Sequence, residues 1–213
     1  MSPRPVRDEI RTALLENAAR LLAEDGPVAL STRRLASETG VSTTAVYTYF
    51  GGMPELVRAV VHEGFARLDG RLTLLEPTKD PLLDATKAIY VFRENALADP
   101  HIYRVMFGGS AVAGFELSLD DRKIGLQSFR MWAVESVRRL MAEGLYSQGD
   151  PWPIALGLWS AVHGHVMLDM NGYFLQQDVA DTSFDHLVFS HHLGAGCPAK
   201  QATAAIRRIR QTS

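Results

Sequence analysis

From Ser42 to Tyr49 the chain reads Ser-Thr-Thr-Ala-Val-Tyr-Thr-Tyr, a run of hydroxyls with no charge among them. On a helix, Ala45, Val46 and Phe50 turn inward and Thr43, Thr44, Tyr47 and Thr48 face out. Hydroxyls on Ser42, Thr43 and Thr44, at a helix start, can meet base edges or phosphates. Tyr47 and Tyr49 can each give a phenolic hydrogen bond to a phosphate. Upstream stand Thr32 and Arg33, whose guanidinium suits a bidentate contact to guanine or a phosphate contact. Downstream, the first helical turn at Met53 to Glu55 offers backbone N–H groups to another phosphate. Double-stranded DNA is the partner this chemistry fits.

A second set is soft and aromatic: Tyr103, Met106, Phe129, Trp132, Trp159, His163 and Met167. Methionine fills irregular, adaptable space, so these residues are the candidate lining of a site for a small, largely apolar ligand. A third set, His163, His165 and Asp169, invites a metal. Positions i and i+4 share a helix face, so His165 and Asp169 can pair. Two ligands are too few for a structural zinc site, and no cysteine joins them. A buried, satisfied histidine accounts for them better. The chain contains no nucleophile–base pair, so no enzyme activity, metal or cofactor is expected. A helical metal- or ligand-binding protein without DNA function is the alternative reading.

The elements that position these residues are helical throughout. Ile10, Ala13, Leu14, Ala18, Leu21 and Leu22 mark one face of a first helix, stopped by Gly26-Pro27. Ser31 is a good N-cap for a helix over 32–39, and Gly40 ends it where a left-handed residue is wanted. Ser42 caps the third helix, and Gly51-Gly52 closes it. Val46 to Phe50 has a strand-like alternation, but its capped start and its lack of a partner strand favour a helix. Leu56 to Leu68 marks a longer fourth helix. Asp80-Pro81, Asp99-Pro100 and Asp150-Pro151 each read as a helix start, with Asp as cap and Pro in the first turn. They open helices of about 82–98, 101–107 and 152–172; others are expected at about 122–145 and 184–194. Gly108 to Asp120 reads as loose.

The expected fold is all-α: an N-terminal three-helix helix-turn-helix domain at 1–52, a connecting helix at 53–75, a larger helical domain at 76–196, and a basic, flexible tail at 197–213. That makes about nine helices.

Composition narrows the class. The 213 residues carry 22 Lys and Arg against 24 Asp and Glu, a formal net charge of −2. With 46% hydrophobic and 22% charged residues, a disordered, fibrous or disulfide-rich chain is excluded. The single cysteine, Cys197, allows no intrachain disulfide and suits a reducing, cytoplasmic setting. The apolar run from Ile154 to Met170 is interrupted by Ser160, His163, His165 and Asp169, and is shorter than the roughly 20 residues a bilayer span needs. No secretory leader is read at the N-terminus, and no membrane association is expected. With no basic excess, DNA binding has to rest on placement: Arg4 and Arg7 precede any acid, in an arm that could reach a groove, and the third helix carries no acid.

Residues 7 to about 72 resemble the N-terminal domain of TetR-family transcriptional repressors. The matching pieces are Ser31-Thr32-Arg33-Arg34-Leu35-Ala36, Gly40-Val41-Ser42, Ala45-x-Tyr47-x-Tyr49-Phe50, and Leu56. The resemblance implies a homodimer that grips a palindromic operator with two helix-turn-helix heads and releases it on binding a small-molecule effector. By position, Thr32, Arg33, Thr43, Thr44, Tyr47 and Tyr49 would touch DNA. Two departures stand out: Met53 replaces the family's usual Lys, and Tyr49 its usual His. Further on, Leu158-Trp159-x-x-x-His163-Gly164 resembles the Trp-His-Gly signature of one TetR C-terminal subfamily, whose domain would bind the ligand and dimerise.

Overall fold

The computed structural model describes residues 4–107 and 114–212, and the side chains of all of these except residues 4–7 and 212. The arm residues Arg4 and Arg7, and residues 108–113 of the expected loose segment, thus lie outside the described side chains.

The described residues are all-α. They form α1 (Arg4–Asp25), α2 (Thr32–Thr39), α3 (Thr43–Phe50), α4 (Met53–Thr73), α5 (Pro81–Ala98), α6 (Pro100–Met106), α7 (Leu119–Phe129), α8 (Glu135–Ala142), α9 (Pro151–Met170), α10 (Gln177–Gly194) and α11 (Ala199–Thr212). A π-helical turn, Arg130–Val134, joins α7 to α8. The capping residues explain most of the starts and stops. Ser31 Oγ accepts the Arg34 N–H, Asp80 accepts from Leu83, and Asp150 accepts from Trp152. Asp99 precedes α6 without a side-chain cap bond.

The chain forms two compact units. Unit 1 comprises residues 1–67 and 99–125; unit 2 comprises 68–98 and 126–213. The sequence placed 99–125 with the larger domain, but the structure places this stretch with the head. Two glycines explain why. A Cβ on Gly64 of α4 would come within 2.6 Å of Met106 Sδ and 3.0 Å of Ile102 Cγ2, so the bare glycine gives the α6 side chains their room against α4. A Cβ on Gly125 would meet the Phe65 ring at 2.8 Å. Ile102, Val105, Met106 and Phe115 consequently share one core with Leu14, Leu21, Leu35, Val46, Leu56 and Val61. Asp121, 2% exposed, fastens the segment after α6 to α4: it takes the Ser118 N–H and Oγ, Arg58 Nε at 3.3 Å and His62 Nε2 at 2.9 Å.

Unit 2 gathers α5, α8, α9, α10 and α11. Its core is built on Leu82, Phe129, Val137, Leu140, Met141, Ala155, Ala202 and Ala205. The expected flexible tail at 197–213 is a helix. Its basic residues masked an apolar stripe, Ala202, Ala205, Ile206 and Ile209, with the spacing of one helix face, and all four are buried. Two of the tail's arginines are engaged: Arg208 with Asp80 at 2.6 Å, and Arg210 with Asp185 at 2.7 Å. No described helix is long and apolar enough to cross a membrane.

Candidate nucleic-acid interface and ligand site

In unit 1, α2 ends on Gly40, left-handed at φ 70°, ψ 29°. The Gly40 N–H bonds back to Ala36 and Ser37, and the Val41 N–H returns to the Ala36 carbonyl at 2.9 Å. This is the six-to-one closure of a helix end, and it reverses the chain tightly enough to start α3 three residues later. Gly51, at φ 83°, ends α3 in the same conformation. Val46 is buried, and Ala45, Tyr49 and Phe50 pack partly on the unit 1 core.

Thr43, Thr44, Tyr47 and Thr48 are exposed, Tyr47 at 58%. The Thr48 hydroxyl donates to the Thr44 carbonyl, which leaves Thr43 and Thr44 as the hydroxyls of the first turn. Ser42 holds the N-cap position in extended backbone, but its side chain makes no cap bond. It differs in this from the expected cap, and its exposed hydroxyl is left for another partner. Tyr49 is half-buried, so only part of its ring faces out. Thr32 is half-buried at the start of α2, and Arg33 is exposed.

Neighbouring charges are paired off. Arg34 meets Asp25 at 2.5 Å, and Arg20 meets Glu24 and Glu38 at 2.9 and 2.6 Å. Sequence reasoning missed Arg11, whose guanidinium stacks 5.1 Å from the centre of the Phe50 ring and braces α3 from α1. At the start of α4, Pro54 has no N–H and Glu55 places a carboxylate in the first turn. The phosphate site expected over Met53 to Glu55 is therefore poorer than the sequence suggested.

The seven residues expected to line a ligand site divide between the units. Tyr103 and Met106 are buried in unit 1. Phe129, Trp132, Trp159, His163 and Met167 belong to unit 2. There Phe129 lies 5.4 Å from Trp159 and 5.8 Å from Trp152, and Trp159 lies 6.1 Å from His163. Trp132, on the π turn, donates its indole N–H to Asp69 at 3.1 Å, and Ser128 bonds the same carboxylate. Burial lowers the His163 pKa, so this ring is neutral at pH 7.

The pairing expected between His165 and Asp169 does not form. Asp169 accepts from Arg93 at 3.0 Å, and His165 Nε2 lies 2.8 Å from Ser183 Oγ. No group of three or more metal-ligating side chains occurs among the described residues. His191 and His192, read from sequence as an interface or surface pair, point inward. His192 is fully buried between Tyr146 (Nδ1 to OH, 2.6 Å) and Thr86 (Nε2 to Oγ1, 3.0 Å). Burial pushes the pKa of both down to about 4, and His191 adds to the shift at His192.

Comparisons with known proteins agree with this architecture. A family profile described as bacterial regulatory proteins, tetR family, matches residues 14–60, and one described as tetracyclin repressor-like, C-terminal domain, matches residues 86–190. An uncharacterised HTH-type transcriptional regulator of Mycobacterium tuberculosis is 27% identical over 161 residues, covering 73% of this chain and 67% of the relative. The solved structure of a protein of unknown function from Rhodococcus sp. RHA1 is 25% identical, with a TM-score of 0.68 over 93% of this chain and 92% of that one. The structure of RolR in complex with resorcinol has a TM-score of 0.68 at 16% identity, covering 96% of each chain. Fold, helix-turn-helix and relatives together define a DNA-binding transcriptional regulator. The chain belongs to the tetR family of bacterial regulatory proteins.

Proposed function

We propose that the chain is a repressor that binds a palindromic operator as a homodimer and is released when unit 2 takes up a small, largely apolar effector. The observation that carries the DNA reading is the outer face of α3, where Ser42, Thr43, Thr44 and Tyr47 leave hydroxyls exposed and Arg33 stands exposed on α2. The protein would contact DNA through Thr32, Arg33, Ser42, Thr43, Thr44, Tyr47 and Tyr49. With Arg20 and Arg34 paired to carboxylates, it should bind random DNA weakly, with a shallow dependence on salt.

Dimerisation is supported by α9. That helix is apolar on nearly every side, which is the mark of a buried helix. Yet Leu156, Gly157, Ser160, Ala161, Gly164 and Leu168 are exposed in the single chain, with no charge among them. A second copy would cover that face. Effector binding is supported by the Phe129–Trp159–His163 cluster beside the π turn, an irregularity frequent at functional sites. RolR, a chain of this fold, has been solved with resorcinol bound. The boundaries between units fall inside α4 and α7, so both helices belong to both units. An effector that prefers the non-binding form by the usual 1–3 kcal/mol of coupling would suffice for release.

The test is an electrophoretic mobility shift with the DNA upstream of the protein's own gene. A specific shift with a two-fold symmetric footprint, lost in Arg33→Ala and Tyr47→Ala, is expected. If there is no specific shift, or if both variants leave it intact, the reading is wrong.

A further inference from the structure

The most enclosed charge of unit 2 lies among α5, α9 and α10. Arg93, 6% exposed, gives Nη1 to Asp181 at 2.7 Å and Nη2 to Asp169 at 3.0 Å, and its guanidinium lies 4.8 Å from the centre of the Phe184 ring. His165, 7% exposed, meets the same ring edge-on at 5.1 Å. The proton on His165 can be placed. The Ser183 hydroxyl has one proton and donates it to the Ala180 carbonyl at 3.0 Å. Ser183 Oγ therefore accepts from His165 Nε2–H, and Nδ1 carries the lone pair. Burial first, then the charge of Arg93, lowers the imidazole pKa and keeps the ring neutral.

Two polar atoms are left over. Arg93 Nε–H is buried with no acceptor, and His165 Nδ1 is buried with no donor. More than nine in ten buried polar groups have a partner. Three side-chain polar atoms of the described residues lack one, and two of the three border the Phe184 ring. They are complementary: one seeks an acceptor, the other a donor. A hydroxyl supplies both. A carboxylate has no proton for Nδ1 and would face Asp169 and Asp181. An ether or a ketone accepts but does not donate. The place of an aromatic ring is also marked. Phe174, in the connector between α9 and α10, lies nearly flat on the His165 imidazole (4.7 Å, 27°), while its neighbours Tyr173 and Leu175 are 72% and 93% exposed.

We propose that the effector is a small hydroxylated aromatic whose hydroxyl donates to His165 Nδ1, whose oxygen accepts from Arg93 Nε–H, and whose ring displaces Phe174 from the imidazole. The proposal rests on the reading that unit 2 takes an effector; it names the effector's chemical class and seats it at Arg93 and His165 rather than at the Phe129–Trp159–His163 cluster.

The test is a titration of the full-length ¹⁵N-labelled protein with phenol and with anisole, followed by NMR. Anisole keeps the ring and the oxygen but lacks the proton, so it should bind at least tenfold more weakly, about 1.4 kcal/mol. His165→Phe keeps an aromatic ring but loses the lone pair, and should bring phenol down to the anisole level. The imidazole ¹⁵N shifts report the tautomer without any ligand, and wild type must show Nδ1 unprotonated. Ser183→Ala removes the acceptor that fixes this tautomer and should narrow the preference for phenol. The proposal is overturned by equal binding of the two probes, by absent phenol binding (water alone then serves the two atoms), by a protonated Nδ1, or by unchanged selectivity in His165→Phe. Selective phenol binding that leaves the DNA shift intact would preserve this site and refute effector release. A DNA shift from a protein that ignores phenol would do the reverse.

Discussion

Unit 1 and unit 2 place their polar groups in opposite ways. On α3 the hydroxyls of Thr43, Thr44 and Tyr47 stand in solvent, and the charges around them cancel in exposed pairs such as Arg34–Asp25. In unit 2, Arg93, His165, Thr86 and His192 are buried, and each is held by groups from another helix. An exposed hydroxyl costs little to keep or to lose and is available to a partner outside the fold. A buried charge or imidazole has lost its water and must be matched by the protein, or by a ligand, atom for atom. Substitutions in the two sets should therefore separate: binding without stability in the head, stability before binding in unit 2.

The most severe test of that contrast is Arg93→Met. It leaves the carboxylate of Asp169 without its guanidinium and Asp181 with the longer ion pair to Arg210 at 3.6 Å, and breaking a buried pair from one side costs about 3–5 kcal/mol. Urea denaturation should show a loss near that range. A loss below about 1 kcal/mol would mean that the cluster is solvated.

Acid comes next. His192 holds a pKa of about 4 against an ordinary 6.5, so the unfolded chain takes a proton that the folded state refuses. The stability this histidine contributes is complete above pH 6.5 and is lost as pH falls toward 4. The loss is on the order of 2 kcal/mol by pH 4.5. Urea midpoints measured from pH 7 to 4.5 should fall, and His192→Gln should flatten the slope.

In the head, Tyr47→Ala should weaken operator binding about tenfold, roughly 1.4 kcal/mol, with an unchanged melting temperature because the ring is largely exposed. A matching loss of stability would erase the contrast. The smallest effect belongs to Arg34→Gln. Its partners are surface carboxylates, and exposed pairs contribute under about 1 kcal/mol, so denaturation should barely register the change.

The head was legible in the sequence because its signals are local. Ser31, Gly40 and Gly51 act within one helical turn of themselves, so α2, the turn and α3 follow from neighbours in the chain. The alternation of Val46 to Phe50 yielded to that context. Unit 2 was less legible. Phe129, Trp159 and His163 were chosen for residue type, and the structure does bring them together. Tyr103 and Met106 were chosen in the same way and belong to the other unit. In the sequence, Arg93 is an ordinary helix arginine, and nothing within four residues shows that it is buried. The basic tail misled for a related reason: Arg207, Arg208 and Arg210 suggested a solvated end, while Ala202, Ala205, Ile206 and Ile209 carried the helix.

By itself the sequence determined the helical class, the helix-turn-helix and the outward face of α3, because caps, left-handed glycines and helix periodicity are short-range physics. Only the tertiary structure decided that α6 joins the head, that α11 completes unit 2, and that an Nε–H and an imidazole lone pair are left buried around one phenylalanine. Those outcomes depend on how closely distant helices can approach. Gly64 gives the α6 side chains their room, and Ser183 sets the proton on His165. Neither can be read without the residue it meets.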